Sequence, residues 1–404
     1  MIDRQLVETM FEAASMQRWN DHIRPHRGFT ELDKQAHKIV FAYVIARIEE
    51  SDRGAVIDWK ALIEGGIFEF LHRLRLTDLK PHVFHQLMDR KRDELNRWVL
   101  AGLESSAGQI GGGFFERMKA YWFEPETFRL ERRILKAAHY LATNWEFEIV
   151  YRMNEQLTGI EQTRAAIGNE IEEHYDLAGV QKISLGKKTH QFLDLIGQMR
   201  FQQRWAQTPR VPETSVLGHM LLVAVLSYLV SLELGACEKR LYHNFFGGLF
   251  HDLPEVLTRD IISPVKGSVE GLDEIIKEIE RRELEEKVLP LLPESWRPEM
   301  RYFVADEFAS RIRREDGTVQ HCSSDEIQAS YNEDRYLPID GEIIRACDKF
   351  AAFVEASLSI HYGIKSPPLL DGVRSGYERF ASASPAGYAF RALYDALRPE
   401  PSQM

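Results

Sequence analysis

The sequence contains little cysteine. Its 404 residues include three, Cys237, Cys322 and Cys347, and no two of them form a C-x-x-C pair. A disulfide framework and a thiolate zinc site are therefore excluded as the basis of the fold. So few thiols suit a reducing compartment, and we expect a cytoplasmic protein.

A long hydrophobic run is also missing. The most apolar stretch, residues 216–230, is shorter than the roughly 20 residues that cross a bilayer, and it contains His219 and Ser227. The first dozen residues mix acidic and basic side chains and hold no apolar segment of the kind that marks a secretory signal. We therefore expect no spanning helix, no secretory signal and no membrane partner.

An excess of positive charge is absent as well. The chain has 51 Lys and Arg residues against 62 Asp and Glu residues, a net charge of −11. We expect no nucleic-acid polymer as a partner, and a small anionic ligand must be held by a few local Lys or Arg residues. No complete phosphate-loop, H-E-x-x-H or G-x-S-x-G motif occurs, so those three catalytic classes have no support.

Helical periodicity dominates what is present. Apolar residues recur at helical spacing over many segments, for example at Leu221, Leu222, Val225, Leu226 and Leu229, whereas alternating strand-like segments are scarce. Hydrophobic residues make up 44% of the chain, enough for a large core. The sequence predicts an all-α protein.

One pattern is written twice along the chain. Arg18-Trp19 recurs as Arg204-Trp205, and each pair is followed by an acidic residue (Glu31 or Glu213) and a histidine that opens an apolar helix (His37 or His219). A Gly-Gly-x-Phe element follows, at residues 65–68 and 247–250. The interval from His37 to Glu69 equals that from His219 to His251, at 32 residues. We therefore predict tandem helical domains, residues 1–175 and 185–404.

The two copies differ where chemistry would occur. Glu69, Phe70 and His139 stand opposite His251, Asp252 and Asp348, so the first copy keeps the scaffold without the second copy's polar set. Two irregular stretches, residues 102–113 and 311–341, are predicted to be loops or lids between helices.

The polar set of the second copy suits a metal ion. His219, His251, Asp252 and Asp348 come from three apolar helices, and two imidazoles with two carboxylates favour a divalent ion such as Mn, Co, Fe, Zn or Mg. Any one buried histidine taken alone is more simply a hydrogen-bonded core residue, and the set as a whole favours the metal. Few histidines lie between His251 and Asp348, which favours one metal ion over two.

The surrounding residues resemble a known family. The segment from His251 to Lys266, with Arg204-Trp205 and His219 upstream and Asp348 downstream, is similar to the bacterial 5′-deoxynucleotidases of the HD phosphohydrolase superfamily. The signature has the form H-D-x-x-E-x-x-x-x-D followed by P-x-K. The resemblance runs from about His190 to His361. It implies tandem HD-type helical bundles, of which the N-terminal one lacks the metal ligands.

The resemblance also implies roles for single residues. One divalent cation would be bound by His219, His251, Asp252 and Asp348, and Glu255 would be the catalytic carboxylate. Three residues after Asp252 on a predicted helix, Glu255 would project from the same side as the ligands. The substrate would be contacted by Arg204, Trp205, Thr258, Asp260 and Lys266, with Arg204 on the phosphate and with Trp205 and Asp260 on the sugar. The other interpretation of Arg204-Trp205 is a packed tryptophan beside a surface arginine, because the pair recurs in the copy without ligands. Arg259 stands where the family usually has a small residue.

These observations predict a metal-dependent phosphomonoesterase that hydrolyses (deoxy)nucleoside 5′-monophosphates with a metal-activated water. Two alternatives stay open: a hydrolase of nucleoside triphosphates or other small phosphate esters, and a nucleotide-binding regulator without turnover. The partner is then a small nucleotide. The first half either completes an intramolecular pseudo-dimer or binds a regulatory nucleotide, and a homodimer of the whole chain is possible.

Overall fold

A computed structural model describes residues 2–77, 79–259, 269 and 271–400. Contacts divide the chain into two units, residues 1–193 and 194–404, whereas the sequence places the start of the second domain at residue 185. Helices account for nearly all regular structure in the described residues, so the all-α prediction is confirmed.

The N-terminal unit is built from helices that begin after short polar turns. They are α1 (Arg4–Glu12), α2 (Glu31–Arg53), α3 (Trp59–Leu76), α4 (Pro81–Ala107), α5 (Phe114–Phe123), α6 (Arg129–Asn154), α7 (Ile160–Glu172) and α8 (Ala178–Ser184). Helix α9 (Lys188–Gln198) crosses the division between the units.

The C-terminal unit contains helices and one small hairpin. The helices are α10 (Val216–Glu233), α11 (Glu238–Phe250), α12 (Leu272–Glu283), α13 (Arg297–Val304), the single turn α14 (Ser324–Glu326), α15 (Gly341–His361), α16 (Pro367–Phe380) and α17 (Arg391–Leu397). Strands β1 (Arg311–Arg313) and β2 (Val319–His321) pair antiparallel, with Arg311 opposite His321. Short 3₁₀ or π turns lie at Met199–Phe201, Leu253–Val256, Leu284–Val288, Leu289–Leu291, Glu294–Trp296, Ile327–Tyr331, Asp334–Tyr336 and Pro385–Gly387.

Helix α10 forms the centre of the C-terminal unit. Ser215 caps its start by accepting a hydrogen bond from the Gly218 amide, and nearly every residue of the helix is buried against neighbours that include α11 and α15. Its length and hydropathy would allow it to cross a membrane, but 94% of the apolar window is buried inside the protein, as in the core helix of a globular domain. The helix therefore places His219, in its first turn, inside the core.

Helix α2 begins in the same way in the N-terminal unit. Thr30 accepts a hydrogen bond from the Asp33 amide, three residues on, as Ser215 does from Gly218. Counting from these caps, Lys34 stands at the position of His219. The sequence alignment of His37 with His219 is therefore wrong by three residues. His37 instead packs against Phe41 and Trp145.

Both segments predicted as loops are more ordered than expected. Residues 102–107 continue α4, and the Arg75 guanidinium lies so near Gly102 that a Cβ there would meet it at less than 3.0 Å. Residues 311–341 form the β hairpin and several helical turns, with Ile312, Ile327 and Ile339 fully buried. Their apolar residues are too sparse for a periodic signal, yet they reach the core of the unit.

Candidate metal centre

Two ligand candidates meet where α10 passes α15. The His219 ring is fully buried, and its Nε2 lies 2.9 Å from Asp348 Oδ1. Its other nitrogen, Nδ1, lies 3.7 Å from Oε1 of Glu355, which is about two turns further along the same face of α15. Burial would lower the pKa of His219, but the two carboxylates outweigh burial and raise it.

His251 and Asp252 lie at the end of α11. His251 Nδ1 is 2.8 Å from the Gly248 carbonyl oxygen and donates to it, so Nε2 keeps its lone pair. That buried Nε2 makes no hydrogen bond in the described residues, although Asp252 Oδ1 is 3.2 Å away. His219, His251 and Asp252 each offer a ligand atom within 4.8 Å of the other two.

This arrangement fits a divalent cation. A buried imidazole nitrogen whose lone pair faces a second imidazole and a carboxylate is costly unless something binds it. The donor set of two nitrogens and carboxylate oxygens matches Zn, Mn, Co or Fe, and the backbone hydrogen bond to Nδ1 is the usual way a metal-binding histidine is oriented. The fit therefore depends on the buried Nε2 of His251.

Asp348 joins the centre through His219. The compact group contains three residues and leaves Asp348 outside. Asp348 Oδ1 is hydrogen-bonded to His219, and its Oδ2 accepts from Lys349 Nζ at 2.8 Å. Burial would raise the pKa of Asp348, but Lys349 and His219 hold it well below its usual range. Asp348 is thus an ionised carboxylate beside the three grouped ligands.

Glu255 lies on a 3₁₀ turn rather than on the predicted helix. Helix α11 ends at Phe250, and Pro254 lies in the 3₁₀ turn that follows, which its ring suits because it has no amide hydrogen to donate. In a 3₁₀ turn, residues three apart lie on the same side, so the predicted relation of Glu255 to Asp252 is kept. The Glu255 side chain is half-buried.

Arg204 and Trp205 are attached to one buried carboxylate. Glu355 Oε2 lies 2.9 Å from Trp205 Nε1 and 3.4 Å from Arg204 Nε, and Thr214 Oγ1 donates to Glu355 Oε1 at 2.6 Å. A second carboxylate oxygen, Asp252 Oδ2, is 3.8 Å from Arg204 Nη1. The arginine therefore reaches from the Glu355 cluster to the candidate ligands.

Thr258 is the other predicted substrate contact that the structure describes. Its hydroxyl is buried and has no hydrogen-bond partner in the part of the chain that the structure covers. Asp260 and Lys266 lie outside the described residues. Arg259 has a φ of 68°, in the left-handed region that favours glycine.

Two residues near the centre were missed by the sequence analysis. Glu355 is fully buried, and although burial would raise its pKa, Arg204 and Arg210 hold it well below its usual range. Glu307 interacts electrostatically with His251 and Asp252, and burial raises its pKa. A seven-residue spacing, repeated from His139 to Glu146 and from Asp348 to Glu355, was available as a signal for Glu355. No motif marks Glu307.

The fold and the site together define an all-α protein with a candidate divalent-metal centre made of His and Asp residues. Comparison with protein families identifies the class more closely: residues 196–375 match the HD domain. The C-terminal half of the chain therefore contains an HD domain.

Curated relatives match the same half. A 5′-deoxynucleotidase of Vibrio atlanticus (strain LGP32) is 30% identical over 128 residues, and one of Vibrio vulnificus (strain YJ016) is 30% identical over 135 residues; each match covers 31% of this chain. The chain spans 65% and 64% of the length of these two relatives. A dATP triphosphohydrolase of Acinetobacter phage SH-Ab 15497 is 32% identical over 72 residues, which are 16% of this chain and 36% of the relative. No solved structure matches the chain.

Proposed function

We propose that the protein is a metal-dependent phosphohydrolase that converts (deoxy)nucleoside 5′-monophosphates to nucleoside and phosphate. The observation that carries this proposal is the buried group of His219, His251 and Asp252, in which His251 Nε2 faces the site with its lone pair free of a hydrogen bond. The names of the Vibrio relatives support the monophosphate substrate.

The cation would be held by His219, His251 and Asp252, with Asp348 alongside. A bound divalent ion supplies Lewis acidity toward a phosphoryl oxygen and lowers the pKa of water. Glu255 would accept the proton of the attacking water, a task that suits a half-buried carboxylate three residues beyond Asp252.

Arg204 would bind the phosphate. Its guanidinium offers several donors in a planar fork, and its contact with Glu355 fixes the fork beside Asp252. Trp205 and Asp260 would contact the sugar, and Lys266 would supply a further cation. The buried hydroxyl of Thr258, without a partner in the described residues, supports a contact with substrate.

Phosphate release tests the proposal. The purified chain, stripped with EDTA and reloaded with Mn or Co, should release phosphate from dAMP and AMP, and the stripped protein should not. Glu255→Gln should lower kcat by about 10²–10⁴-fold while binding the same amount of metal, since general acid–base catalysis contributes about that much. The exposed Glu278→Gln is the matched control and should keep full activity. Full activity of Glu255→Gln would remove Glu255 from the mechanism.

A second candidate is a triphosphohydrolase, favoured by the phage relative that acts on dATP. With dAMP and dATP as separate substrates, the products distinguish the two candidates. Release of inorganic phosphate from dAMP, with dATP left intact, supports the first proposal, and release of tripolyphosphate from dATP supports the second. Metal binding without turnover of any phosphate ester would favour a nucleotide-binding regulator.

A cytoplasmic location, the absence of nucleic-acid and membrane partners, and the choice between a homodimer and an intramolecular pseudo-dimer stay predictions. Sedimentation of the intact chain over a range of concentrations tests the homodimer directly.

A further inference from the structure

The two units share a supporting frame. In the N-terminal unit Glu146 Oε2 lies 2.8 Å from Arg18 Nε and 3.0 Å from Trp19 Nε1, and Glu355 makes the same two contacts with Arg204 and Trp205. Both tryptophans have a positive φ, 57° and 55°, which is uncommon for so bulky a residue. The Arg-Trp-Glu frame is therefore present in both units.

The frame of the N-terminal unit encloses ammonium groups instead of metal ligands. Lys34, at the position of His219, has its Nζ 2.5 Å from His139 Nδ1, as His219 Nε2 is 2.9 Å from Asp348 Oδ1. Lys38 Nζ is paired with Glu69, the residue opposite His251 in the Gly-Gly register. Two cationic side chains thus stand where the other unit gathers imidazoles and carboxylates.

Basic side chains outnumber acidic ones in this cluster. Four of them, Arg18, Lys34, Lys38 and Arg73, lie near three carboxylates, Glu31, Glu69 and Glu146. Arg18 is held between Glu31 Oε2 at 3.0 Å and Glu146 Oε2 at 2.8 Å. Each carboxylate therefore already has a cation beside it.

Lys34 is the basic side chain left over. It is fully buried, its Nζ is hydrogen-bonded to His139, and in the described part of the chain it makes no ion pair with a carboxylate. An ammonium without a counter-charge is costly to bury, so burial lowers the pKa of Lys34 well below its usual range and favours the neutral amine. A bound anion would supply a counter-charge and favour the ammonium form.

The cluster reaches the surface through three of its side chains. The side chain of Glu69 is 34% exposed, that of Arg73 21% and that of Arg18 13%, whereas Lys34 and Lys38 are fully buried. Arg73 Nε is 3.6 Å from Glu31 Oε2, a longer ion pair than those of Arg18.

We propose that the N-terminal unit binds the phosphate group of a small phosphate monoester at this cluster, without a metal, through Lys34 and Arg73. This goes beyond the hydrolase proposed above, because it needs neither the metal centre nor turnover. Lys34 supplies the charge and Arg73 the planar donors, while Arg18 and Glu146 keep the frame in place.

Calorimetry on the full chain in excess EDTA tests the proposal, with inorganic phosphate and dAMP as separate probes. The wild-type protein should bind, and Lys34→Met should bind at least tenfold more weakly. Arg204→Ala is the matched control in the other unit and should leave this site intact. Tighter binding of dAMP identifies a nucleotide site, and equal or tighter binding of inorganic phosphate identifies a site for the phosphate group alone.

Folding is controlled separately. Circular dichroism checks each variant, Lys34→Arg should restore binding because it keeps the cation, and Arg73→Gln at the exposed side replaces Lys34→Met if the latter does not fold. The proposal is overturned if the wild-type protein binds neither probe in EDTA. It is equally overturned if folded Lys34→Met binds as tightly as the wild type, or if Arg204→Ala alone abolishes binding.

Discussion

At the scale of single residues, Glu355 links the predicted substrate residues to the candidate ligands. It accepts hydrogen bonds from Trp205 and Thr214, lies beside Arg204, and has one oxygen 3.7 Å from His219 Nδ1. Because Glu355 is fully buried, water does not compete for these hydrogen bonds. It is a positioning residue, since it acts through Arg204 and His219.

Glu355→Gln is expected to lower activity by about 10–100-fold, the usual effect of removing the partner that orients a metal-binding histidine. The amide keeps the shape but loses the negative charge, so the affinity for Mn should fall and KM for dAMP should rise as Arg204 loses its anchor. Titration with Mn and steady-state kinetics measure both. The exposed Glu378→Gln is the control. Unchanged metal affinity together with unchanged KM would contradict the positioning role.

The sequence singled out the candidate ligands and missed the residues that support them. His219, His251 and Asp252, which the structure groups together, were chosen because a metal needs particular donor atoms and those residue types are rare on apolar helices. In the sequence, Glu355 looks like any glutamate of an amphipathic helix, because its contact with Arg204 forms only when the chain folds. Glu307 comes near the centre only because the segment that carries it packs there, and this long-range packing cannot be predicted from local sequence patterns.

At the scale of elements, the start of α15 is fixed by a buried carboxylate. Asp340 caps the helix by accepting from the Ile343 amide, and it also accepts from Arg240 Nη2 at 2.7 Å and Ser310 Oγ at 2.9 Å. Arg240 and Asp340 are both fully buried. The same helix carries Asp348 and Glu355 two to four turns later, so this anchor determines where they lie.

Asp340→Asn is expected to cost about 3–5 kcal/mol of unfolding free energy, because it leaves the Arg240 charge buried without its counter-charge. Urea unfolding followed by circular dichroism measures the loss. Glu285→Gln breaks the exposed pair with Arg301 and should cost no more than about 1 kcal/mol. An equal loss of unfolding free energy in the two variants would mean that the buried Arg240–Asp340 pair does not stabilise the start of α15.

The glycine that follows provides a second test at this scale. A Cβ on Gly341 would lie less than 3.0 Å from backbone atoms of Phe308 and Ala309, whereas a Cβ on Gly376 in α16 would meet Phe353 at an ordinary 3.5 Å. Gly341→Ala should therefore destabilise the protein by about 1–3 kcal/mol or more. Gly376→Ala should be neutral or stabilising by up to about 1 kcal/mol, through helix propensity. Thermal unfolding compares them, and a neutral Gly341→Ala would contradict the close packing.

The helices themselves were predictable because apolar residues repeat at helical spacing over long segments. The hairpin and turns of residues 311–341 were not, since Ile312, Ile327 and Ile339 are too far apart in sequence to form a pattern. The end of this segment is joined to α11 by the contact between Asp340 and Arg240, which are 100 residues apart. Such pairs are visible only after the chain has folded.

At the scale of the whole molecule, the same Arg-Trp-Glu frame surrounds different side chains in the two units. In the C-terminal unit it lies beside His219, His251 and Asp252, the candidate ligands of a metal ion, and in the N-terminal unit it lies beside the buried side chains of Lys34 and Lys38. The tandem-repeat prediction gains support from the shared Arg-Trp-Glu frame and from the matching N-caps of α2 and α10. The two units should therefore respond differently to metal.

Metal removal is expected to destabilise one unit and leave the other unchanged. Binding at one hundred times the dissociation constant stabilises a folded state by about 2.7 kcal/mol, and chelation withdraws that stabilisation. Hydrogen exchange followed by mass spectrometry, with Mn and then with EDTA, should show faster exchange in α10, α11 and α15 after chelation and no change in α2, α3 and α6. His251→Ala, which lacks a candidate ligand, should show no response to chelation in either unit. Equal loss of protection in both sets of helices would contradict the expected difference between the units. It would mean that the N-terminal unit also depends on a metal, although buried lysines occupy the place of the candidate ligands there.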